Sequence, residues 1–214
     1  MVYMLCCYIV VMGRKKLLYD PYLKASGEIM DLKEGIKTFR ESENFYISLA
    51  RDIASVAAAV LLFSTISYLI FGMWAPMVAV ESGSMEPHMN IGDIIFIQNI
   101  ERTFVITKAD ASSDYVSFKD KGDVILYRPY GRKDVTPVIH RAMYFVEAGE
   151  PMWERGPIAP HDGYITKGDN KQTNMIYDQQ GQISYLTPVK EEWIIGIARY
   201  RIPYIGKIRL MLPF

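Results

Sequence analysis

Residues 53–73 read IASVAAAVLLFSTISYLIFGM, and no charged side chain occurs between Ile53 and Val80. As a helix this stretch covers roughly 31 Å, about the thickness of the hydrocarbon core of a bilayer. The core helix of a soluble protein is the alternative, but such a helix normally carries polar residues along one side. Trp74 suits a membrane–water boundary, and Pro76 cannot continue a helix. The stretch therefore predicts one transmembrane helix over residues 53–74.

Basic residues flank this segment unevenly. None follows it before Arg102, whereas four precede it closely: Lys33, Lys37, Arg40 and Arg51. Because the cytoplasmic side of a span carries the excess of Lys and Arg, residues 1–52 are predicted to be a cytoplasmic segment. Residues 75–214 are then an extracytoplasmic domain of a single-pass protein in the cell membrane.

The first twelve residues, MVYMLCCYIVVM, form a shorter apolar run. As a helix they would cover only about 18 Å, which is too short to span a bilayer. A secretory signal carries its positive charges before the apolar part, but here the basic stretch GRKK follows at residues 13–16. Residues 1–11 therefore have two interpretations: a signal-like segment, or a misassigned start with Met12 as the initiator.

Composition limits the classes of function. The 24 Lys and Arg balance the 24 Asp and Glu, so no overall positive field indicates a nucleic-acid partner. A mean hydropathy of +0.04 is too low for a protein with many spans and fits one span attached to a domain of mixed polarity. The only cysteines, Cys6 and Cys7, are adjacent, so no disulfide framework is expected.

After residue 78 the pattern changes to short apolar runs separated by Gly-Asp and similar turn signals. The runs at residues 94–97, 124–127, 138–140, 144–146, 164–166 and 193–198 are predicted to be strands, and residues 99–121 and 147–163 to be loops. The expected fold is mainly β: an antiparallel β domain with long loops, preceded by one N-terminal transmembrane α-helix.

Ser84 is a candidate nucleophile. It lies in the turn VESGSMEP at residues 80–87, ten residues beyond Trp74 and therefore close to the bilayer surface. Ser-Gly-Ser is also a common turn sequence. A serine hydroxyl needs a base and donors for the developing oxyanion. Ser82 and the backbone N–H of Ser84 are the candidate donors for an oxyanion site.

The base must come from three histidines, His88, His140 and His161. His140 follows the apolar pair Val138-Ile139 and is predicted to lie on a strand, although a histidine in such a place can also be structural. His88 and His161 lie in turn-rich stretches and are interpreted as incidental. An imidazole suits proton transfer near neutral pH.

A carboxylate that fixes the tautomer of the base would complete the site. Asp169 in the stretch KGDN (residues 167–170) and Asp178 are the two candidates, and Asp169 can also be explained as a turn residue. No clustered His/Cys spacing indicates a metal, and no cofactor is predicted.

Taken in order, these stretches resemble the conserved boxes of type I signal peptidases: SGSMEP (82–87), GD (92–93), GDV (122–124), VIHR (138–141) and KGDN (167–170). The ending GIAR (196–199) with PYIG (203–206) is similar to the archaeal and endoplasmic-reticulum members. Bacterial members carry lysine where His140 stands, so the resemblance is to the Ser-His branch.

Two departures from the family pattern matter. The partner aspartate usually follows the Gly-Asp-Asn box by about six residues, but position 175 is Met, and Asp178 comes nine residues after Asp169. About three residues are thus inserted, and Asp178 is preferred over Asp169 as the partner of His140. Some relatives also have a second apolar segment, whereas residues 202–214 are too short and too interrupted to span.

The resemblance implies a membrane-bound serine endopeptidase that removes signal peptides from exported preproteins. Preprotein signal peptides and membrane lipid are the expected partners, with the protein-export machinery as a further candidate and no nucleic acid. Two other interpretations remain open. One is an inactive homologue that acts as a membrane-tethered β binding module, and the other is a self-cleaving repressor-type peptidase of related fold, which would need a lysine base.

Overall fold

The structure is a computed structural model, and it describes Lys37 and residues 44–205. The alternative starts at residues 1–11, most of the predicted cytoplasmic segment and residues 206–214 lie outside the described residues.

One long helix, α1, runs over Phe45–Phe71. It is long and apolar enough to cross a membrane by length and composition, and of its side chains only Ser67 is buried. The helix begins eight residues before the predicted Ile53. It also ends earlier than predicted, because Gly72 takes a φ of +74° and its N–H bonds to the carbonyl of Tyr68 at 3.0 Å. This left-handed glycine terminates the helix before Pro76 is reached.

The described residues contain eight strands after this helix, in chain order: β1 (Met77–Ala79), β2 (Ile94–Gln98), β3 (Val116–Ser117), β4 (Asp120–Lys121), β5 (Val124–Tyr127), β6 (Val138–Val146), β7 (Gly163–Lys167) and β8 (Ile194–Ile202). Six of them form one sheet in the order β1-β2-β8-β5-β6-β7, and every neighbouring pair is antiparallel. β3 and β4 pair separately as a short hairpin. The predicted antiparallel β domain preceded by one apolar helix is confirmed.

Three details differ from the sequence prediction. The two runs at 138–140 and 144–146 are one nine-residue strand, β6, with a register shift between Ala142 and Tyr144. Arg141 interrupts the apolar pattern of this strand, but an ion pair with Asp169 neutralises its charge. The small β3–β4 hairpin lies inside the predicted loop 99–121, and the short edge strand β1 was not predicted.

The segment between β1 and β2 is anchored by two methionines. Met85 and Met89 are fully buried in a cluster with β-strand side chains that include Ile95 and Ile97. Burying one methionine side chain contributes about 1.5–3 kcal/mol. The core therefore holds in place the turn that carries Ser84.

Candidate active site

Ser84 occupies the middle of a single 3₁₀ turn, Gly83–Met85, which connects β1 to β2. The N–H of Glu86 closes the turn on the carbonyl of Gly83 at 3.2 Å. Met85 points into the core, so the side chain of Ser84 is left on the outer side of the turn, where it is half-buried. A serine hydroxyl presented in this way can be approached by a substrate.

His140 is the third residue of β6, and its ring is almost completely buried. Its Nε2 lies 2.9 Å from the Oγ of Ser84, although the two residues are 56 positions apart in the sequence. This distance is within the range needed for a base to take the proton of a nucleophile.

Asp178 lies on the other side of the imidazole. Its Oδ2 is 2.7 Å from Nδ1 of His140, and the hydroxyls of Thr166 and Tyr127 donate to the same oxygen at 2.6 and 2.9 Å. An ionised carboxylate can only accept, so Nδ1 carries the hydrogen and Nε2 is left to accept the proton of Ser84. The three side chains thus form a continuous hydrogen-bonded chain.

The charge state of Asp178 follows from its surroundings. Burial alone would raise the pKa of the Asp178 carboxyl, but the hydrogen bond from His140 and the charge of that ring act in the opposite direction. Together with the hydroxyls of Thr166 and Tyr127, they hold the pKa below its usual range. Burial and the neighbouring carboxylate raise the pKa of the Tyr127 hydroxyl well above its usual value. The phenol therefore stays protonated and remains a donor.

Asp169 does not approach His140. Its Oδ1 accepts from Nε of Arg141 at 2.8 Å and its Oδ2 from Nη2 of the same guanidinium at 2.6 Å. The side chain of Arg141 is fully buried, and its Nη1 also donates to backbone carbonyls, including that of Gly122 at 2.6 Å. The two aspartates that the sequence left as alternatives therefore occupy different places.

Asn170, which sequence reasoning did not single out, binds the turn that carries the serine. Its backbone N–H donates to the carbonyl of Ser84 at 2.9 Å, and its side-chain Nδ2 donates to the carbonyl of Gly83 at 2.8 Å. Its place beside Asp169 in the stretch KGDN was the only signal. Thr166 and Tyr127 were also missed, and as ordinary strand residues they gave no signal of a role at Asp178.

The two other histidines, His88 and His161, have different hydrogen-bond partners. His88 was interpreted as incidental, yet its Nδ1 lies 2.7 Å from Oδ2 of Asp169. His161 donates from Nδ1 to the carbonyl of Asp162 at 2.8 Å and contacts the ring of Trp193 edge-on. Among the described residues, neither ring is hydrogen-bonded to Ser84.

A cleft of about 390 Å³ opens over the hydroxyl of Ser84. Its walls are mostly apolar and come from β1 and the residues after it, from β5, from the start of β6 with the two residues before it, and from the loop after β7. Besides Ser84 and His140, the lining residues are Val78, Ala79, Val80, Glu81, Ser82, Leu126, Thr136, Pro137, Val138, Ile139, Asn174 and Ile183. The Oγ of Ser82 lies 3.3 Å from that of Ser84, at the edge of the cleft. A larger, open depression beside His161 contains no part of the hydrogen-bonded chain.

Within residues 44–205 and Lys37, no three His, Cys, Asp or Glu side chains are grouped in a way that could hold a metal ion.

No family model matches the chain. Individual proteins do resemble it. The signal peptidase complex catalytic subunit sec11 of Schizosaccharomyces pombe is 27% identical over 160 residues, covering 73% of this chain and 77% of the relative. The protein of the same name in Sclerotinia sclerotiorum is 29% identical over 179 residues, covering 78% of this chain and 86% of the relative.

A human relative is more distant but matches a longer stretch. The signal peptidase complex catalytic subunit SEC11C of Homo sapiens is 25% identical over 196 residues, which cover 89% of this chain and 83% of the human protein. The similarity therefore extends over most of both chains. The chain is a homologue of the signal peptidase catalytic subunits, the endoplasmic-reticulum and archaeal branch of the type I signal peptidases.

Proposed function

We propose that this chain is a membrane-anchored serine endopeptidase that removes signal peptides from exported preproteins. One observation carries the proposal: Ser84 and His140 line an apolar cleft, and the hydrogen-bonded chain that they begin continues to Asp178. Its homologues are named as the catalytic subunits of signal peptidase.

In the proposed reaction, Oγ of Ser84 attacks the carbonyl carbon of the scissile bond while Nε2 of His140 takes the hydroxyl proton. A new C–O bond forms, and the carbonyl electron pair moves onto the oxygen. The negative charge of Asp178, beside Nδ1, stabilises the imidazolium that results. When the C–N bond breaks, the imidazolium returns the proton to the leaving amine, and an acyl-enzyme remains.

Water completes the cycle by the same route. His140 takes a proton from the water, the water oxygen attacks the ester carbon, and Ser84 leaves with the proton returned by the ring. In both halves an oxyanion develops on the former carbonyl oxygen. We assign its stabilisation to the hydroxyl of Ser82 and the backbone N–H of Ser84, since both groups belong to the turn that presents the nucleophile.

The helix α1 supports the choice of substrate. A signal peptide is held in the membrane by its own apolar segment, and an enzyme anchored in the same bilayer meets it at a raised effective concentration. We place the N-terminus in the cytoplasm and residues 75–214 outside the cell membrane, because basic residues cluster before the span. Membrane lipid and the export machinery, which delivers preproteins to this side, are then its natural surroundings.

The decisive experiment compares full-length variants in membrane vesicles with a model preprotein, followed by N-terminal sequencing of the product. Ser84→Ala should abolish processing, with a loss on the order of 10⁴–10⁶ in kcat as for a subtilisin-type triad. The matched control is Ser113→Ala, an exposed serine that bonds only to its neighbour Asp114 in the described structure. The control should process like the wild type. If the Ser84→Ala protein kept more than about a tenth of the activity, another nucleophile would be required.

A wild-type chain that is folded but never cuts would favour the binding-module interpretation instead. Orientation is tested separately with a membrane-impermeant thiol reagent on chains whose native cysteines are replaced by serine. Ser113→Cys should react from outside intact cells, and Lys37→Cys should react only after the membrane is opened. The reverse pattern would contradict the proposed topology.

A further inference from the structure

The side chain of Asp169 contacts both of the segments that carry the candidate nucleophile and the candidate base. Its Oδ2 is 2.6 Å from Nη2 of Arg141, which adjoins His140 on β6. The same oxygen is 2.7 Å from Nδ1 of His88, which lies four residues after Ser84. The carboxylate therefore joins the strand of the base to the turn of the nucleophile at a second point, away from the Ser84–His140 contact.

Backbone hydrogen bonds connect the residues between Ser84 and His88. The N–H groups of His88 and Met89 both donate to the carbonyl of Met85, at 2.9 and 3.0 Å. Met85 is fully buried and directly follows Ser84. A short, hydrogen-bonded stretch of backbone thus connects His88 to the residue that follows the nucleophile.

The contact is shielded from water. Only 20% of the His88 side chain and 6% of the Asp169 side chain are exposed. A buried acceptor that loses its donor is not fully compensated by solvent, so the ring contributes more here than a surface pair would. The backbone N–H of Asn170 donates to the carbonyl of Ser84 at one end of this stretch, and Nη1 of Arg201 donates to the carbonyl of His88 at 3.0 Å at the other end.

We propose that His88 is a positioning residue for Ser84, acting through Asp169 to hold the nucleophile turn against β6. This inference rests on the proposed function. Nδ1 of His88 donates to the carboxylate, and the carboxylate is in turn fixed by the guanidinium of Arg141. The distance between Ser84 and His140 then depends on their own hydrogen bond and on the contact that His88 and Arg141 make through Asp169. A misplacement of about 1 Å at a reacting group can cost on the order of 10²-fold in rate.

The test is a set of replacements at one position, assayed in the full-length chain with a model preprotein. His88→Leu removes the donor and should lower kcat on the order of 10²-fold with little change in KM, because the cleft itself is unaltered. His88→Asn offers an amide Nδ2 close to the place of Nδ1 and should stay within about threefold of wild type. His88→Gln carries its amide one carbon further and should resemble the leucine variant. The matched control, His161→Leu, should not change kcat.

Folding is monitored on the same samples by the midpoint of thermal unfolding. If the leucine variant does not fold, the comparison of asparagine with glutamine still decides the matter, since both keep a polar side chain. The double variant His88→Leu/Asp169→Asn should lose little more activity than Asp169→Asn alone, because His88 and Asp169 act through one contact. Wild-type kcat in His88→Leu, or equal losses in the asparagine and glutamine variants, would overturn the inference. Such results leave the proposed function intact as long as Ser84→Ala is inactive and the wild type cuts.

Discussion

Oδ2 of Asp178 lies 2.7 Å from Nδ1 of His140, whereas Asp169 directs both of its oxygens to Arg141, the next residue on the same strand. Adjacent residues of a strand point to opposite faces. The two aspartates therefore serve opposite faces of β6: one lies against the imidazole, and the other neutralises a buried guanidinium. Replacing one carboxylate is therefore expected to have different consequences from replacing the other.

Replacing the carboxylate beside the imidazole should mainly affect catalysis. In Asp178→Asn, the amide can donate to Nδ1 and hold the ring in the wrong tautomer, and the comparable change in a trypsin-like triad costs about 10⁴ in rate. Processing of a model preprotein by the full-length variant measures the effect. Asp114→Asn, at an exposed loop residue, is the control and should leave processing unchanged. A loss of less than about tenfold in Asp178→Asn would mean that Ser84 and His140 act without this carboxylate.

Replacing the carboxylate beside the guanidinium should lower stability, in addition to the loss of activity expected from its contact with His88. Asp169→Asn removes the carboxylate that is paired with the fully buried Arg141 and leaves only the more distant carboxylate of Asp120, at 4.0 Å. Breaking a buried ion pair typically costs about 3–5 kcal/mol. The sequence alone, which explained Asp169 as a turn residue, predicts a loss of only about 1 kcal/mol. Chemical denaturation in detergent separates these values. Asp134→Asn breaks the exposed pair with Arg132 and should leave the unfolding curve unchanged.

How much of the site could be predicted depends on how local each signal is. Ser84 and His140 stood in recognisable stretches, and the structure brings their side chains to 2.9 Å. The choice between the aspartates was harder, because residues 169–178 are held by bonds that no local pattern indicates, such as that from the N–H of Asn170 to the carbonyl of Ser84. Tyr127, which donates to Asp178 from 51 residues away, carried no local signal at all.

The bounds of the helix show a different limit of prediction from sequence. The prediction began at Ile53 because Arg51 and Asp52 interrupt the apolar run. Helix formation requires no apolar side chains, however, and α1 continues through both charges to Phe45. At the other end Gly72, with a positive φ, stops the helix before the more conspicuous Pro76.

A lysine should not replace the imidazole at neutral pH. In His140→Lys, burial lowers the pKa of the amine, but the carboxylate of Asp178 opposes this and draws the ammonium group away from Ser84. A base that stays protonated cannot accept the serine proton, so the loss should be on the order of 10²–10⁴-fold, the usual contribution of general-base catalysis. Processing assays at pH 7 measure it, with His161→Lys as the control. Near wild-type rates in His140→Lys at pH 7 would show that the site accommodates a neutral lysine.

The stability of the domain should depend on pH partly through Asp178. Its pKa in the folded chain lies below the usual value, so its ionised form favours folding. This contribution is fully present above the unfolded pKa of about 3.9 and is lost as pH falls through the lower folded value. The difference in unfolding free energy between wild type and Asp178→Asn should therefore shrink as pH is lowered below about 3.9. Denaturant titrations at several pH values measure this difference. A constant difference over the acidic range would contradict the ionised carboxylate.

Gly168 lies against the nucleophile turn, where a side chain has no room. A Cβ built on it would be 2.6 Å from the carbonyl oxygen of Ser84 and 2.6 Å from Cγ of Asn174. The asparagine side chain can rotate away, but the carbonyl can move only with the turn that carries the hydroxyl. Gly168→Ala should therefore lower kcat on the order of 10²-fold, with most of the stability retained.

Gly181→Ala is the matched control, because the nearest atom to a Cβ at that position is at an ordinary 3.7 Å. Both variants are compared for kcat on a model preprotein and for the midpoint of thermal unfolding. Unchanged kcat in Gly168→Ala would mean that the turn can shift without moving the hydroxyl relative to His140. A large fall in the unfolding midpoint with a proportionate loss of activity would instead mean that Gly168 matters for folding rather than for placing the nucleophile.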